Sequence, residues 1–382
     1  MISDTEVLRR ERMRASPLWD GRAFRNVYPI MPGLRDPNVP RPTLADFLCG
    51  GERRVPQHPL PSLNPLSIWG RKPQSGLRVT WLGHSTVLIE IGGRRVLTDP
   101  VWGARASPSG MIGPKRFQPV PVPLRALQDV DLVIISHDHY DHLDYPTMRQ
   151  LRKSSVPLVT SLGVGAHLER WGVAAERIKE LDWWETHRLV GSDLTVTAAP
   201  SQHFSGRGLK DRNATLWSSM VIRCVNQAVF FSGDTGLTNE YRCIGERLGP
   251  FDLTMLEVGA FHPVWGDIHL GPENAIEAHR LLGGGAFLPV HWGTFNLALH
   301  AWDLPAQVLY ELGPRHNLNL LMPRLGEPIE PQHEFALTPW WRSVDDSIAV
   351  GAAPASPVVA EGREPDGRGA GKPPISIPWP LD

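Results

Sequence analysis

Cysteine is scarce in this chain. Cys49, Cys224 and Cys243 lie far apart in 382 residues and make no CxxC pair, which speaks against both a disulfide framework and a thiolate zinc site. An excess of either charge is also missing, since 39 basic residues face 40 acidic ones for a net charge of −1. Nucleic acid, whose binding rests on neutralising phosphates with a basic surface, is therefore excluded as a partner. No stretch approaches the ~20 apolar residues that a bilayer-spanning helix requires. The early basic cluster of Arg9, Arg10, Arg12 and Arg14 is followed by no apolar run. A secretory leader is thus not expected, and a reducing cytoplasm is the expected location. Tyrosine is rare at 5 residues, whereas Trp reaches 14 and Pro 37. The indoles fit a core first and an apolar, lipid-facing rim second.

Nine prolines from Pro29 to Pro65 break any long periodicity in residues 1–76. That segment reads as an irregular arm with a short helix over Thr43 to Leu48. Its apolar content, including Trp19, Phe24, Val27 and Tyr28, favours packing on the core over disorder. From Leu77 the pattern changes to β-branched runs separated by turn residues: Leu77 to Leu82, Thr86 to Ile91 and Arg95 to Thr98. Leu132 to Ile135 is an apolar run of the kind buried on both faces of a sheet. Further strands are expected at Leu158–Ser161, Leu194–Ala198, Ser219–Arg223, Ala228–Phe231, Leu253–Glu257 and Ala286–Val290. Helical stretches lie at Thr147–Lys153, Val164–Trp171, Asn239–Leu248 and Pro272–Leu282. Hairpin strands followed by alternating strands and helices predict an α/β fold, an αββα sandwich over residues 77–342. Residues 343–382, rich in Ala, Gly, Pro and Ser, read as a disordered tail.

The chemistry concentrates in Ser136-His137-Asp138-His139-Tyr140-Asp141-His142-Leu143-Asp144, directly after the buried strand. A lone histidine in such a loop is ordinarily packing or capping. Three histidines and an aspartate within six residues are a different matter. His137 and His139 can point to one metal while Asp141 and His142 reach a second, and imidazole with carboxylate suits zinc, manganese or iron. Gln202-His203, Gly233-Asp234-Thr235-Gly236 and Val290-His291-Trp292 each add a ligand-type residue just past a strand.

In that order, these residues resemble the metallo-β-lactamase superfamily, and within it the N-acylphosphatidylethanolamine-hydrolysing phospholipase D family. The likeness spans about residues 17–315 and rests on Trp81-Leu82-Gly83-His84-Ser85, Asp99-Pro100, Gly113-Pro114-Lys115-Arg116-Phe117 and Ser136 through Tyr145. It continues through Gln202-His203, Asp211 to Trp217, Phe231 to Gly236, Gly249 to Asp252 and His291-Trp292-Gly293-Thr294-Phe295. The resemblance implies two Zn²⁺ per chain, one on His137, His139 and His203 and the other on Asp141, His142 and His291, with Asp234 bridging. It implies that Asp141, Asp234 and His269 serve catalysis, with His269 near the leaving group. A rival reading of His269 is simply a helix start before Pro272.

Asp99 is expected to orient a ligand histidine from behind, with His84 packed beside it. Lys115 and Arg116 are candidates for phosphate or acidic lipid, and His262 and Trp265 for the substrate groove. The implied activity is hydrolysis of N-acylphosphatidylethanolamine-like phospholipids to phosphatidic acid and an N-acylethanolamine, by attack of a metal-activated water on phosphorus. The implied partners are a phospholipid and a membrane surface, met peripherally on its inner face, with a homodimer left open. A lactonase, a small-molecule phosphodiesterase or an endonuclease of the same fold would use the same motif. A non-catalytic zinc scaffold would be expected to lack ligands, and all seven positions are filled.

Overall fold

A computed structural model describes residues 4–30, 39–40, 42–43, 46, 52–127, 129–265 and 267–344. The first sheet grows from the three antiparallel strands β1 (Leu77–Gly83), β2 (Thr86–Ile91) and β3 (Arg94–Thr98). The parallel strands β4 (Leu132–Ile135), β5 (Leu158–Ser161) and β6 (Ile178–Leu181) extend it. Alternation along β2 and β4 explains the architecture. Val87, Ile89, Ile91, Leu132 and Ile134 enter one buried cluster, while Leu88, Val133 and Ile135 enter another on the opposite face. A strand apolar on both faces needs a covering layer on each side.

The second sheet supplies one of those layers. It contains β7 (Thr186–Arg188), β8 (Thr195–Ala199), β9 (Ser219–Cys224), β10 (Gln227–Phe231), β11 (Phe251–Glu257), β12 (Gly284–Val290) and β13 (Asn319–Leu320). Its order is β13-β12-β11-β10-β9-β8-β7, and β14 (Pro328–Ile329) closes the first sheet as β14-β1-β2-β3-β4-β5-β6. Val196, Met220, Phe231 and Leu253 meet the inner residues of the first sheet in one core. Outside lie helices. α1 spans Asp4–Ala15, α2 Tyr145–Leu151, α3 Gly165–Arg170, α4 Glu240–Leu248, α5 Gly271–Leu282 and α6 Leu304–Leu312. Met148 of α2 and Leu168 of α3 cover the first sheet, and Ala275, Ile276 and Leu282 of α5 cover the second. The architecture is an αββα sandwich.

Three expectations need revision. The arm is not irregular from its start, because α1 forms there with Asp4 and Glu6 in its first turn and Arg12 and Arg14 in its last, as the helix dipole favours. Its Arg9 is buried, donating from Nε to Glu180 at 2.6 Å and pairing with Glu169. The early basic cluster thus belongs to a helix that packs on the fold through Arg9. Second, of the two readings of the tryptophans the core holds and the rim does not. Trp81, Trp217 and Trp341 are fully buried, five more are nearly so, and none of the described tryptophans is exposed. Trp81 stacks on Trp292 at 5.2 Å and Trp292 on Trp340 at 5.6 Å, an aromatic column inside the core. Third, the folded part runs through Val344, which is buried. The remainder of the expected tail, and most of the expected helix at Thr43–Leu48, lie outside the described residues.

Candidate metal centre

The strands β4, β8, β10 and β12 each end at the same rim of the sandwich, and each is followed by a ligand-type residue. Past β4 come His137, His139, Asp141 and His142; past β8 comes His203; past β10, Asp234; past β12, His291. The donor atoms of His137, His139, His203 and Asp234 lie within 4.8 Å of one another, and so do those of His84, Asp141, His142 and His291. Asp234 also reaches the second group, with Oδ1 3.1 Å from His142 Nε2 and Oδ2 3.1 Å from His291 Nε2. It stands between the two. Gly233 and Gly236 allow this placement: a Cβ on Gly233 would come 2.8 Å from Ser136 Cβ, and one on Gly236 only 1.9 Å from the Asp267 carbonyl oxygen.

These contacts fit metal ligation better than hydrogen bonding. His142 Nε2 and Asp234 Oδ1 are buried with no hydrogen-bond partner despite their 3.1 Å separation. Lone pairs that point past one another toward a common centre behave this way. Metal–donor bonds of ~2.0–2.1 Å in a tetrahedron place donors ~3.3 Å apart. The observed spacings bracket that value: His137 Nε2 to His139 Nδ1 is 2.9 Å, His203 Nε2 to His139 Nδ1 is 3.2 Å, and His203 Nε2 to Asp234 Oδ2 is 3.7 Å. In the second group His142 Nε2 and His291 Nε2 lie 3.5 and 3.2 Å from Asp141 Oδ2.

Electrostatics point the same way. Burial holds the imidazoles of His137 and His203 well below the ordinary histidine value, so they stay neutral with lone pairs available. Burial also opposes charge on His142 and His291, yet Asp234 and Asp141 outweigh it, lifting His142 well above its usual value and His291 to about 10. Asp141 and Asp234 themselves stay ionised: burial works against them, but His142 and His291 outweigh it and keep both well below the usual carboxylate range. A buried carboxylate and a largely enclosed one among six imidazoles therefore demand positive charge, which a divalent cation supplies without protonating the ligands.

A layer behind the donors fixes their rings. Asp99 is fully buried at the end of β3 and accepts from His142 Nδ1 at 2.7 Å, from the Ser136 backbone N–H at 2.7 Å and from Ser136 Oγ at 2.6 Å. Ser136 Oγ also lies 2.9 Å from His137 Nδ1, so Asp99 steers one ring in each group. His203 Nδ1 donates to the Ile268 carbonyl at 2.9 Å. Asp99, His84 and His291 all sit at positive φ, so backbone strain gathers at this rim.

The sequence missed part of this layer. Asn26, in the arm, donates to the His203 carbonyl at 2.8 Å and accepts from its N–H at 3.1 Å. Glu257, at the end of β11 and fully buried, meets His269 Nδ1 at 3.2 Å and accepts from the Leu270 N–H at 2.7 Å. A carboxylate at a strand end just before a predicted ligand-side loop was the available signal for Glu257. No local signal marks Asn26.

The remaining candidates divide. His269 lies within 4.8 Å of the donors of Asp234 and His291. His84, expected only to pack, presents Nε2 to Asp141 Oδ2 at 2.9 Å and stands inside the second group. Arg116 does not serve as a substrate contact. It is buried, donates to the Val101 and Gly103 carbonyls and lies over the Phe295 ring at 4.9 Å. Its role is to tie loops, as Phe117 N–H does by donating to the Thr294 carbonyl at 2.9 Å. Lys115 is exposed beside it. His262 and Trp265 face each other at 5.7 Å, and among the described residues no hydrogen bond or ion pair joins either to Asp141 or Asp234.

Comparison with known proteins gives a consistent picture. Residues 94–292 match the Beta-lactamase superfamily domain, a span that contains all seven expected ligands. An uncharacterised protein of Mycobacterium tuberculosis is 44% identical over 331 residues, 86% of this chain and 88% of its own. The N-acyl-phosphatidylethanolamine-hydrolyzing phospholipase D 1 of Caenorhabditis elegans is 38% identical over 259 residues, 65% of this chain and 70% of that one. The isothiocyanate hydrolase from Delia radicum gut bacteria superposes with a TM-score of 0.53 over 66% of this chain and 98% of that one, at 22% identity, a likeness of fold.

Proposed function

The chain belongs to the beta-lactamase superfamily and is a metal-dependent hydrolase, and from that premise we propose that it is a binuclear zinc phosphodiesterase cleaving N-acylphosphatidylethanolamine-like phospholipids. The observation that carries this reading is Asp234, one carboxylate shared between two adjacent donor groups. A carboxylate shared by two cations would hold them close enough to clamp a phosphodiester between them. The likeness to the nematode phospholipase supports the substrate class. Bound zinc would supply Lewis acidity toward the phosphoryl oxygens and lower the pKa of water to ~7.

The protein's own residues do the rest. His137, His139 and His203 would hold one ion, and Asp141, His142 and His291 the other, while Asp99 and Ser136 keep the rings oriented. Water adds to phosphorus, the bond from phosphorus to the ethanolamine oxygen breaks, and that oxygen takes a proton. His269, backed by Glu257, is the proton donor in this reading. Lys115, His262 and Trp265 are proposed to line the approach.

The test offers zinc-loaded protein three substrates: N-acylphosphatidylethanolamine, bis(p-nitrophenyl) phosphate and an aliphatic lactone. Release of phosphatidic acid and N-acylethanolamine is expected. Turnover of the lactone alone would replace this reading with a lactonase.

A further inference from the structure

Two loops at the metal rim carry bare apolar tips. Met111 is 83% exposed, Ile112 67%, and Leu209 fully so. Their loops flank one cavity of about 600 Å³, lined by Gly110, Tyr140, Tyr145, Trp171, Arg207 and Gly208 among others. Tyr140 follows His139 directly, so this cavity lies against the loop that carries His137, His139, Asp141 and His142. Burying an apolar side chain is favourable, and a monomer leaves such tips in water at a cost unless they meet something.

Charge identifies what they meet. Residues 103–116 contain Arg105, Lys115 and Arg116 and no acid; residues 206–212 contain Arg207, Lys210 and Arg212 against the single Asp211. Arg116 is buried and the half-buried Arg207 turns Nη1 onto the Asp138 and Leu143 carbonyls, which leaves four basic residues facing one acid on a chain whose net charge is −1. Asp211 is itself engaged by the backbone N–H groups of Arg207 and Gly208. Two of the four are braced, Arg105 Nη1 on the Gly113 carbonyl and Arg212 over Phe204 at 4.8 Å. Fixed positive charge around protruding apolar tips is complementary to an anionic lipid surface.

We propose that this face docks on an anionic bilayer, with Met111, Ile112 and Leu209 entering the interface and the surrounding arginines and lysines on the lipid phosphates. This deepens the proposed phospholipase function, since it brings the mouth beside Tyr140 to the membrane, and it replaces the tryptophan rim that composition suggested. No helix among the described residues is long and apolar enough to cross a membrane, so docking is through loops.

The test is vesicle co-sedimentation of the metal-loaded full chain, using phosphatidylglycerol–phosphatidylcholine vesicles that contain no N-acylated lipid. Docking is thereby read without turnover, and it stands or falls separately from the substrate assignment. Wild type should bind these vesicles at least tenfold better than phosphatidylcholine alone and be released by high salt, since each basic residue near an anionic surface contributes about fivefold. The triple variant Met111→Ser, Ile112→Ser, Leu209→Ser should lose tenfold or more with melting temperature and metal content unchanged. Val225→Ser removes an exposed apolar side chain elsewhere, in the β9–β10 turn at the far end of the sheet from Asp234, and should bind as wild type does. Equal binding by wild type and the triple variant, absence of wild-type binding to the anionic vesicles, or an equal loss in Val225→Ser would overturn the proposal.

Discussion

Replacing Asp99 by Asn changes one atom in a sealed site, and its consequences can be followed along a chain of hydrogen bonds. The carboxylate accepts three donors at 2.6–2.7 Å, one of them His142 Nδ1. If His142 and His137 ligate through Nε2, their Nδ1 atoms carry protons; His137 donates to Ser136 Oγ, which donates onward to Asp99. An Asn at this position keeps one acceptor for the Ser136 backbone N–H but turns an NH₂ toward His142 Nδ1 and Ser136 Oγ. Donor then faces donor on both branches. Relief requires moving the ring proton to Nε2, which removes the lone pair a metal needs. Loss of such an orienting partner weakens metal affinity by about 10- to 100-fold, or ~1.4–2.7 kcal/mol. Because Asp99 serves His142 and His137, both sites should weaken together. Zinc affinity measured by chelator competition reads this directly, with the melting temperature of the metal-free protein as a folding check. An Asp99→Asn protein that binds two zinc ions with wild-type affinity would refute the reasoning.

Three other substitutions probe separate parts of the account. Asp234→Asn should lower zinc content below two per chain by elemental analysis and cut turnover at least a thousandfold, since one carboxylate serves both groups. Glu257→Gln keeps an acceptor for the Leu270 N–H but loses the charge behind His269. It should leave zinc content and KM unchanged and lower kcat by about tenfold or more on the lipid, whose ethanolamine oxygen needs a proton to leave, but far less on bis(p-nitrophenyl) phosphate, whose p-nitrophenolate leaves without one; a purely structural role would lower both alike. Arg9→Ala leaves Glu180 buried against only the Gly163 and Gly165 N–H groups. It should destabilise the fold by about 3 kcal/mol in denaturant titration, with the active site unaltered.

Much of this was legible before the structure. β2, β4 and β5 match their expected bounds residue for residue, because short runs of apolar and β-branched residues bounded by turn residues carry no competing helical period. The histidine–aspartate loop was legible because ligand spacing within one turn is a local property. His84 was not, since its ring meets Asp141 only when the β1–β2 turn is folded under the rim at positive φ. Asn26 holds His203 across 177 residues of sequence, and no local pattern encodes such a contact. Arg116 illustrates the opposite failure: a basic pair on a loop looks solvated until Phe295 and two carbonyls close over one member. Helix α1 was obscured by its charge, because its stability comes from Arg9 docking on Glu169 and Glu180 rather than from an apolar stripe.

The central claim is that water attacks phosphorus in a phospholipid at a centre shared through Asp234. Hydrolysis of N-acylphosphatidylethanolamine in ¹⁸O-labelled water, followed by mass spectrometry of both products, tests it most directly. The account predicts one ¹⁸O in the phosphatidic acid and none in the N-acylethanolamine, with the reaction abolished by Asp234→Asn. Label in the N-acylethanolamine, or no cleavage by zinc-loaded wild type, would contradict it.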